Sequence, residues 1–168
     1  MLKPKFLTEK IAKKAIMMVK EFFLKNSSQF LIIWRGDMHI IVMVPSLVDD
    51  NRQYPDYYLE PIVLCEESFG KKKEWRHRFD EIAQCKALQL WHQRNNGHLT
   101  TPVHLLFPDD TPYYGGVDRE GIVVACSGLQ PYFDKMISGM VADLCIALAH
   151  DDWEKSEDKA KGNDFLSK

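Results

Sequence analysis

Lys86 lies four residues from both Ile82 and Leu90, in a segment whose apolar residues recur at helical spacing, so one ammonium projects toward an otherwise apolar stripe. Such a lysine either snorkels, with its stem packed and its charge in water, or lines a pocket. In a pocket it needs an anion or carbonyl partner, because a buried unpaired charge is costly. A second constellation is Ser127-Gly128, where a β-rich run enters a glycine-containing turn and then a helical pattern. Backbone N–H groups at that helix start could hold a carboxylate or phosphate, or Ser127 could simply cap the helix. Gly115-Gly116, after Tyr113-Tyr114, would let a ligand approach the backbone or supply a bulge. The histidines (39, 77, 92, 98, 104, 150) form no i,i+4 pair, and a lone histidine is usually a surface or satisfied core residue. His92 and His98 are the exceptions: at the end of the long helical pattern and just after it, either could serve as an axial ligand to haem iron.

The elements that position these residues follow from periodicity. Ile11, Ala12, Ala15, Ile16, Val19 and Phe23 predict a helix over 8–25 with Thr8 as its N-cap. Phe30 to Trp34 and Met38 to Val44 read as a hairpin about Arg35-Gly36-Asp37, a turn and not an integrin-binding tripeptide. Pro45 to Tyr58 reads as a long loop, Pro61 to Cys65 as a short strand, and Glu74 to Asn95 as a helix stopped by Asn95-Asn96-Gly97. Val103 to Phe107 is a further expected strand. Tyr113 to Val117 and Ile122 to Cys126 form a second expected hairpin about Asp118-Arg119-Glu120-Gly121. A third helix is predicted over 130–149, its small Ser138, Gly139 and Ala142 allowing close packing. Because strands meet through hairpins and not crossover helices, the predicted class is α+β, a single antiparallel sheet packed by helices. Residues 1–150 read as one domain and 151–168 as a charged tail that frays.

Composition narrows the function. With 45% apolar and 27% charged residues over 168 positions, the chain can build a core. A formal charge of -2 gives the whole molecule no attraction for nucleic acid or an anionic membrane, although Met1 to Lys25 carries seven lysines against Glu9 and Glu21. That basic stretch is read as the solvated face of a packed helix. No apolar run reaches the roughly 18 residues of a membrane span, and the four cysteines (65, 85, 126, 145) show no metal-binding spacing, so cytoplasmic residence with reduced thiols and no metal site is expected. Dinucleotide, Walker, zinc-protease and nucleophile-elbow signatures are absent.

Several motifs together resemble the GlcG/HbpS-like proteins, a family that also includes the C-terminal domain of PduO-type adenosyltransferases. The resemblance covers most of residues 7–148. It is carried by Leu7 to Lys25, by Ile82-Ala83-Gln84-Cys85-Lys86-Ala87 as the family's I-A-x-x-K-A, by Gly115-Gly116-Val117 with Gly121 to Gly128, and by Asp134 at the start of the last helix. It implies a profilin-like α-β-α sandwich, a small ligand held near Lys86, Gly115, Gly116, Ser127 and Gly128, and homo-oligomers. Haem is the ligand of some members. The chain departs from the family in the long segment Pro45 to Glu74, in Leu129-Gln130-Pro131-Tyr132 after Ser127-Gly128, and in a first helix without histidine. Two other readings stand beside ligand binding. One is an enzyme acting on a small anionic metabolite, with Lys86 as the charged group and Ser127-Gly128 as the anion cradle. The other is an interaction module using the aromatic 45–74 loop, with Tyr54, Tyr57 and Tyr58 as anchors.

Overall fold

Ala12, Ala15, Ile16, Val19 and Phe23 recur at the helical period, and these are the residues that α1 (Glu9–Asn26) buries. The Thr8 hydroxyl accepts the Ile11 N–H at 3.3 Å and caps the helix. The structure, a computed structural model, describes residues 1–26, 36–48, 57–94, 106–161 and 165–167. Its main sheet contains β2 (Met38–Leu47), β3 (Leu59–Phe69), β4 (Gly116–Arg119) and β5 (Ile122–Ser127), ordered β3-β2-β5-β4 with every neighbour antiparallel.

Strand alternation divides the core in two. Met38, Ile40, Val42 and Val44 of β2 and Ile122, Val124 and Cys126 of β5 pack with α1 and with α3 (Pro131–Glu154). The intervening Ile41, Met43, Val123 and Ala125 pack on the other face against Ala83, Ala87 and Leu90 of α2 (Phe79–Trp91). The fold is therefore α+β, with one antiparallel four-stranded sheet packed by helices on both faces among the described residues. No helix among them is long and apolar enough to cross a membrane.

Several boundaries differ from those read in the sequence. The strand at 38–44 runs to Leu47 and takes β3 as its antiparallel partner, while the expected first strand at 30–34 lies outside the described residues. Pro45 is tolerated because β2 pairs with β5 only from His39 to Met43, so beyond that only β3 lies alongside. The short strand at 61–65 is the middle of the 11-residue β3. Here Leu64 is the extra residue of a bulge between the Val42 and Met43 pairings. Helix α2 begins at Phe79 and not at Glu74: a 3-10 turn at Lys72–Glu74 follows Gly70, and the Trp75 indole donates to the Phe69 carbonyl at 3.1 Å. It ends at Trp91, and the stop expected at 95–97 lies outside the described residues.

Of the expected strand at 103–107 only Leu106 and Phe107 are described, and they belong to no strand. Instead Phe107 turns back on Asp110, whose N–H bonds the Phe107 carbonyl at 3.1 Å. The second hairpin forms as expected, closed by Glu120 and Gly121 with φ of 51° and 82°, the positive values that a tight two-residue turn requires. Its first strand starts only at Gly116. The charged tail is ordered in its described part: α3 continues to Glu154, α4 spans Glu157–Lys161, and β6 (Leu166–Ser167) pairs with β1 (Lys3–Pro4). Phe165 packs between Phe6 and Trp153, and Lys5 pairs with Asp158, so apolar and ionic contacts hold the end that composition alone marked as fraying.

Candidate functional site

β4 begins opposite Ala125, so the last two residues of β5 have no strand beside them on that edge. There the Cys126 N–H bonds the Gly115 carbonyl at 3.1 Å, and the Cys126 carbonyl accepts from Lys86 Nζ at 2.9 Å. The same ammonium bonds Asp134 Oδ2 at 2.9 Å. The α2 lysine thus passes the open edge of the sheet and meets the first turn of α3, joining the layers on opposite faces. Small Ala83 and Ala87 on either side of it, both fully buried, allow α2 to lie close enough for that reach. Lys86 is 2% exposed, so it does not snorkel.

The rest of the cluster holds Asp134. Its Oδ1 accepts the Leu129 N–H at 3.0 Å and the Cys126 thiol at 3.6 Å. Ser138 Oγ lies 2.9 Å from the Gly115 carbonyl and 2.8 Å from the Asp134 carbonyl. Burial lifts the Asp134 carboxyl above its ordinary value against the opposing pull of the Lys86 ammonium. Burial likewise pushes the Cys126 thiol well above its usual range, which keeps it an S–H donor. Gly115 is required: its φ is +141°, and a Cβ there would come within 2.6 Å of the Asp134 Cβ and 2.7 Å of Lys86 Nζ.

Beside this pair opens a cavity of about 190 Å³. Lys86, Ser127, Gly128, Gln130 and Asp134 are among its lining residues, with Phe79, Ile82, Leu129 and Pro131 as apolar wall and His77 and Tyr113 also bordering it. Ser127 is on the α2 face of β5, one residue beyond Cys126 in the alternation. It is 4% exposed, and its hydroxyl makes no hydrogen bond to any described residue. It therefore does not cap α3. Gln130 occupies the N-cap position without a side-chain cap, and Pro131 follows at the first turn. An unpartnered hydroxyl, an uncapped N-terminus of a 24-residue helix and an ammonium with two of its three donors engaged face one space.

Of the residues singled out in the sequence, Lys86, Ser127 and Gly128 line this cavity, and Gly115 closes against the ion pair behind it. Gly116 packs elsewhere, under Leu90, where a Cβ would meet Leu90 Cδ1 at 2.4 Å. His92 is the C-cap of α2, six residues beyond Lys86, and is not among the lining residues; His98 lies outside the described residues. Among the described residues no group of three or more His, Cys, Asp or Glu is placed to hold a metal ion. Tyr57 and Tyr58 are about half exposed, and Tyr54 lies outside the described residues.

No protein-family model, curated protein or solved structure matches this chain. The resemblance to the GlcG/HbpS-like proteins therefore rests on its short sequence motifs alone.

Sequence reasoning missed Asp134 as the lysine's partner, and His77 and Phe79 as cavity wall. It also missed two structural devices nearby. Gln89, fully buried, exchanges two hydrogen bonds of 3.1 Å with the Thr111 backbone. On the far side of the α2 face, His39 is buried with Nδ1 2.8 Å from Ser68 Oγ and Nε2 3.5 Å from Glu66. Burial holds that imidazole below its ordinary value although Glu66 and Asp80 oppose the shift. Only Asp134 had a signal, its place at the start of the last helix.

Proposed function

We propose that this domain binds a small organic acid in the cavity beside Lys86, as a ligand-binding domain of the GlcG/HbpS-like type. The observation that carries the reading is the hydroxyl of Ser127, a residue 4% exposed whose side chain bonds no described residue, on the wall shared by Lys86 and the uncapped start of α3. A carboxylate placed there accepts from the hydroxyl, from the remaining Lys86 donor and from the Tyr132 N–H, since Pro131 has no N–H and those of Phe133 and Asp134 already bond the Gln130 carbonyl, while Phe79, Ile82 and Leu129 cover its apolar body. A volume of about 190 Å³ supports a compact metabolite no larger than a single-ring acid, since pockets for drug-sized ligands occupy roughly 300–1,000 Å³. Haem, the ligand of some members of the resembling family, does not fit this lining: the space is too small and His92 is not part of it. Self-association belongs to the same reading, and sedimentation showing only monomer at high concentration contradicts it.

The test is a thermal-shift screen of small carboxylates against matched amides and amines, with haemin titrated separately. The reading expects stabilisation by acids alone, reduced at equal acid concentration in Ser127→Ala, and no Soret shift with haemin. Stabilisation by amides equal to that by acids, or a stoichiometric Soret band, overturns it. The enzyme reading is favoured by one observation, the carboxyl of Asp134 lifted by burial inside a cavity, where it could exchange a proton with a bound acid. Turnover of a screened acid, abolished in Asp134→Asn, is its test.

A further inference from the structure

Asp134 is faced by one cation, Lys86 from α2, and by neutral groups: the Cys126 thiol of β5, the Leu129 N–H, Ser138 of its own helix and the Gly115 backbone before β4. His77 borders the cavity at its exposed side. Without a ligand the buried set is thus balanced, one ammonium to one carboxylate. A second carboxylate that reaches the free donor of Lys86 makes two anions share one cation against a wall of buried residues, and neighbouring like charges there disfavour double ionisation.

We infer that the cavity takes up one proton, held at Asp134, for each organic acid anion that it binds. This rests on the reading that the cavity binds small acids. The bonding of Asp134 suits the exchange. Oδ1 keeps the Leu129 N–H whether or not the group is charged, and a proton on Oδ2 can be donated to the ligand carboxylate while Lys86 turns its ammonium toward the newcomer. The balance is simple: an anion and a proton enter together, the site's net charge is unchanged, and no bond other than O–H forms. The Cys126 thiol cannot be the proton's destination, since it already carries one. His77 is the only other neighbouring titratable group among the described residues that could take it. The site would accordingly select a monoanionic acid with a compact apolar body, and bind it more tightly as the pH falls.

The experiment is calorimetric titration of the full chain with benzoate, in buffers of differing ionisation enthalpy, from about pH 6 to about pH 9; benzamide is the neutral control. Proton uptake that passes through a maximum within this range is expected, where the pH lies above the free-cavity value of Asp134 and below its value in the complex, with affinity there falling by up to about tenfold per pH unit, and no uptake with benzamide. His77→Gln should retain the uptake, and Asp134→Asn should bind benzoate without it. Benzoate binding by the native chain without proton uptake overturns the inference but leaves the binding reading intact. Loss of the uptake in His77→Gln also overturns it, by moving the proton to the imidazole. No binding of benzoate at any pH overturns the binding reading and this inference with it. The measurements on the native chain and on His77→Gln decide the matter even if Asp134→Asn does not fold.

Discussion

Lys86→Met keeps most of the side-chain volume and removes only the ammonium, so it isolates the ion pair. The variant would leave the Asp134 carboxyl, 2% exposed, with the Leu129 N–H and the Cys126 thiol as its remaining partners, and would leave the Cys126 carbonyl without its lysine donor. Removing one partner of a buried pair costs about 3–5 kcal/mol, against a total stability for a domain of about 5–15 kcal/mol. The loss should depend on pH. Asp134 already has its carboxyl above the ordinary 3.8, and without Lys86 it rises further. In the window between the unfolded and folded values the native state binds more protons than the unfolded state, so stability falls as pH rises through it. The deficit of Lys86→Met is therefore largest at neutral and alkaline pH and shrinks in acid. Lys86→Met combined with Asp134→Leu removes both charges and should regain most of the loss, as apolar replacement of whole buried pairs does. Urea unfolding at about pH 8 and about pH 5 measures all three. A loss below about 1 kcal/mol at the higher pH, the value of an exposed pair, would refute the claim that this bridge is buried and joins the layers.

Gly115→Ala should cost about 1–3 kcal/mol in urea unfolding and weaken acid binding, because the new Cβ must displace Asp134 or Lys86 while the backbone holds φ at +141°. Ser127→Ala should leave the urea midpoint unchanged, as the hydroxyl bonds no described residue, and should reduce benzoate affinity by about tenfold, the value of one hydrogen bond to a charged group. His39 titrates with the opposite sign to Asp134: its folded value is depressed, so its contribution is present above the ordinary 6.5 and is lost as pH falls through that value toward the lower folded one. Urea midpoints should drop over that range in the native chain and be flatter in His39→Gln.

The helices were legible where one face alone is buried. Thr8 and the Ala12-Ile16-Val19 spacing placed α1 to within a residue or two. β3 was not legible in full, because it is an edge strand whose Glu66, Glu67 and Ser68 read as loop once their backbone pairing with β2 is unseen. Trp75 stands at helical spacing from Phe79, yet its indole bonds the end of β3, so periodicity placed the start of α2 too early. Lys86 could be picked out because a charge interrupts an apolar stripe. Its partner could not, since Asp134 is separated from it by 48 residues and the two meet only where β4 stops short of the end of β5. The end of α3 was placed short because ring contacts of Trp153 with Phe165 and His150, and not an apolar face, carry its last turn.

The proposed function places a small acid between Lys86, Ser127 and the start of α3. A backbone amide chemical-shift titration of the isotope-labelled chain with benzoate tests it most directly. Saturable shifts are expected at Ser127, Gly128, Leu129, Gln130 and Tyr132, with a midpoint about tenfold higher in Ser127→Ala; saturable shifts elsewhere with these amides unmoved, or no shifts at all, would contradict it.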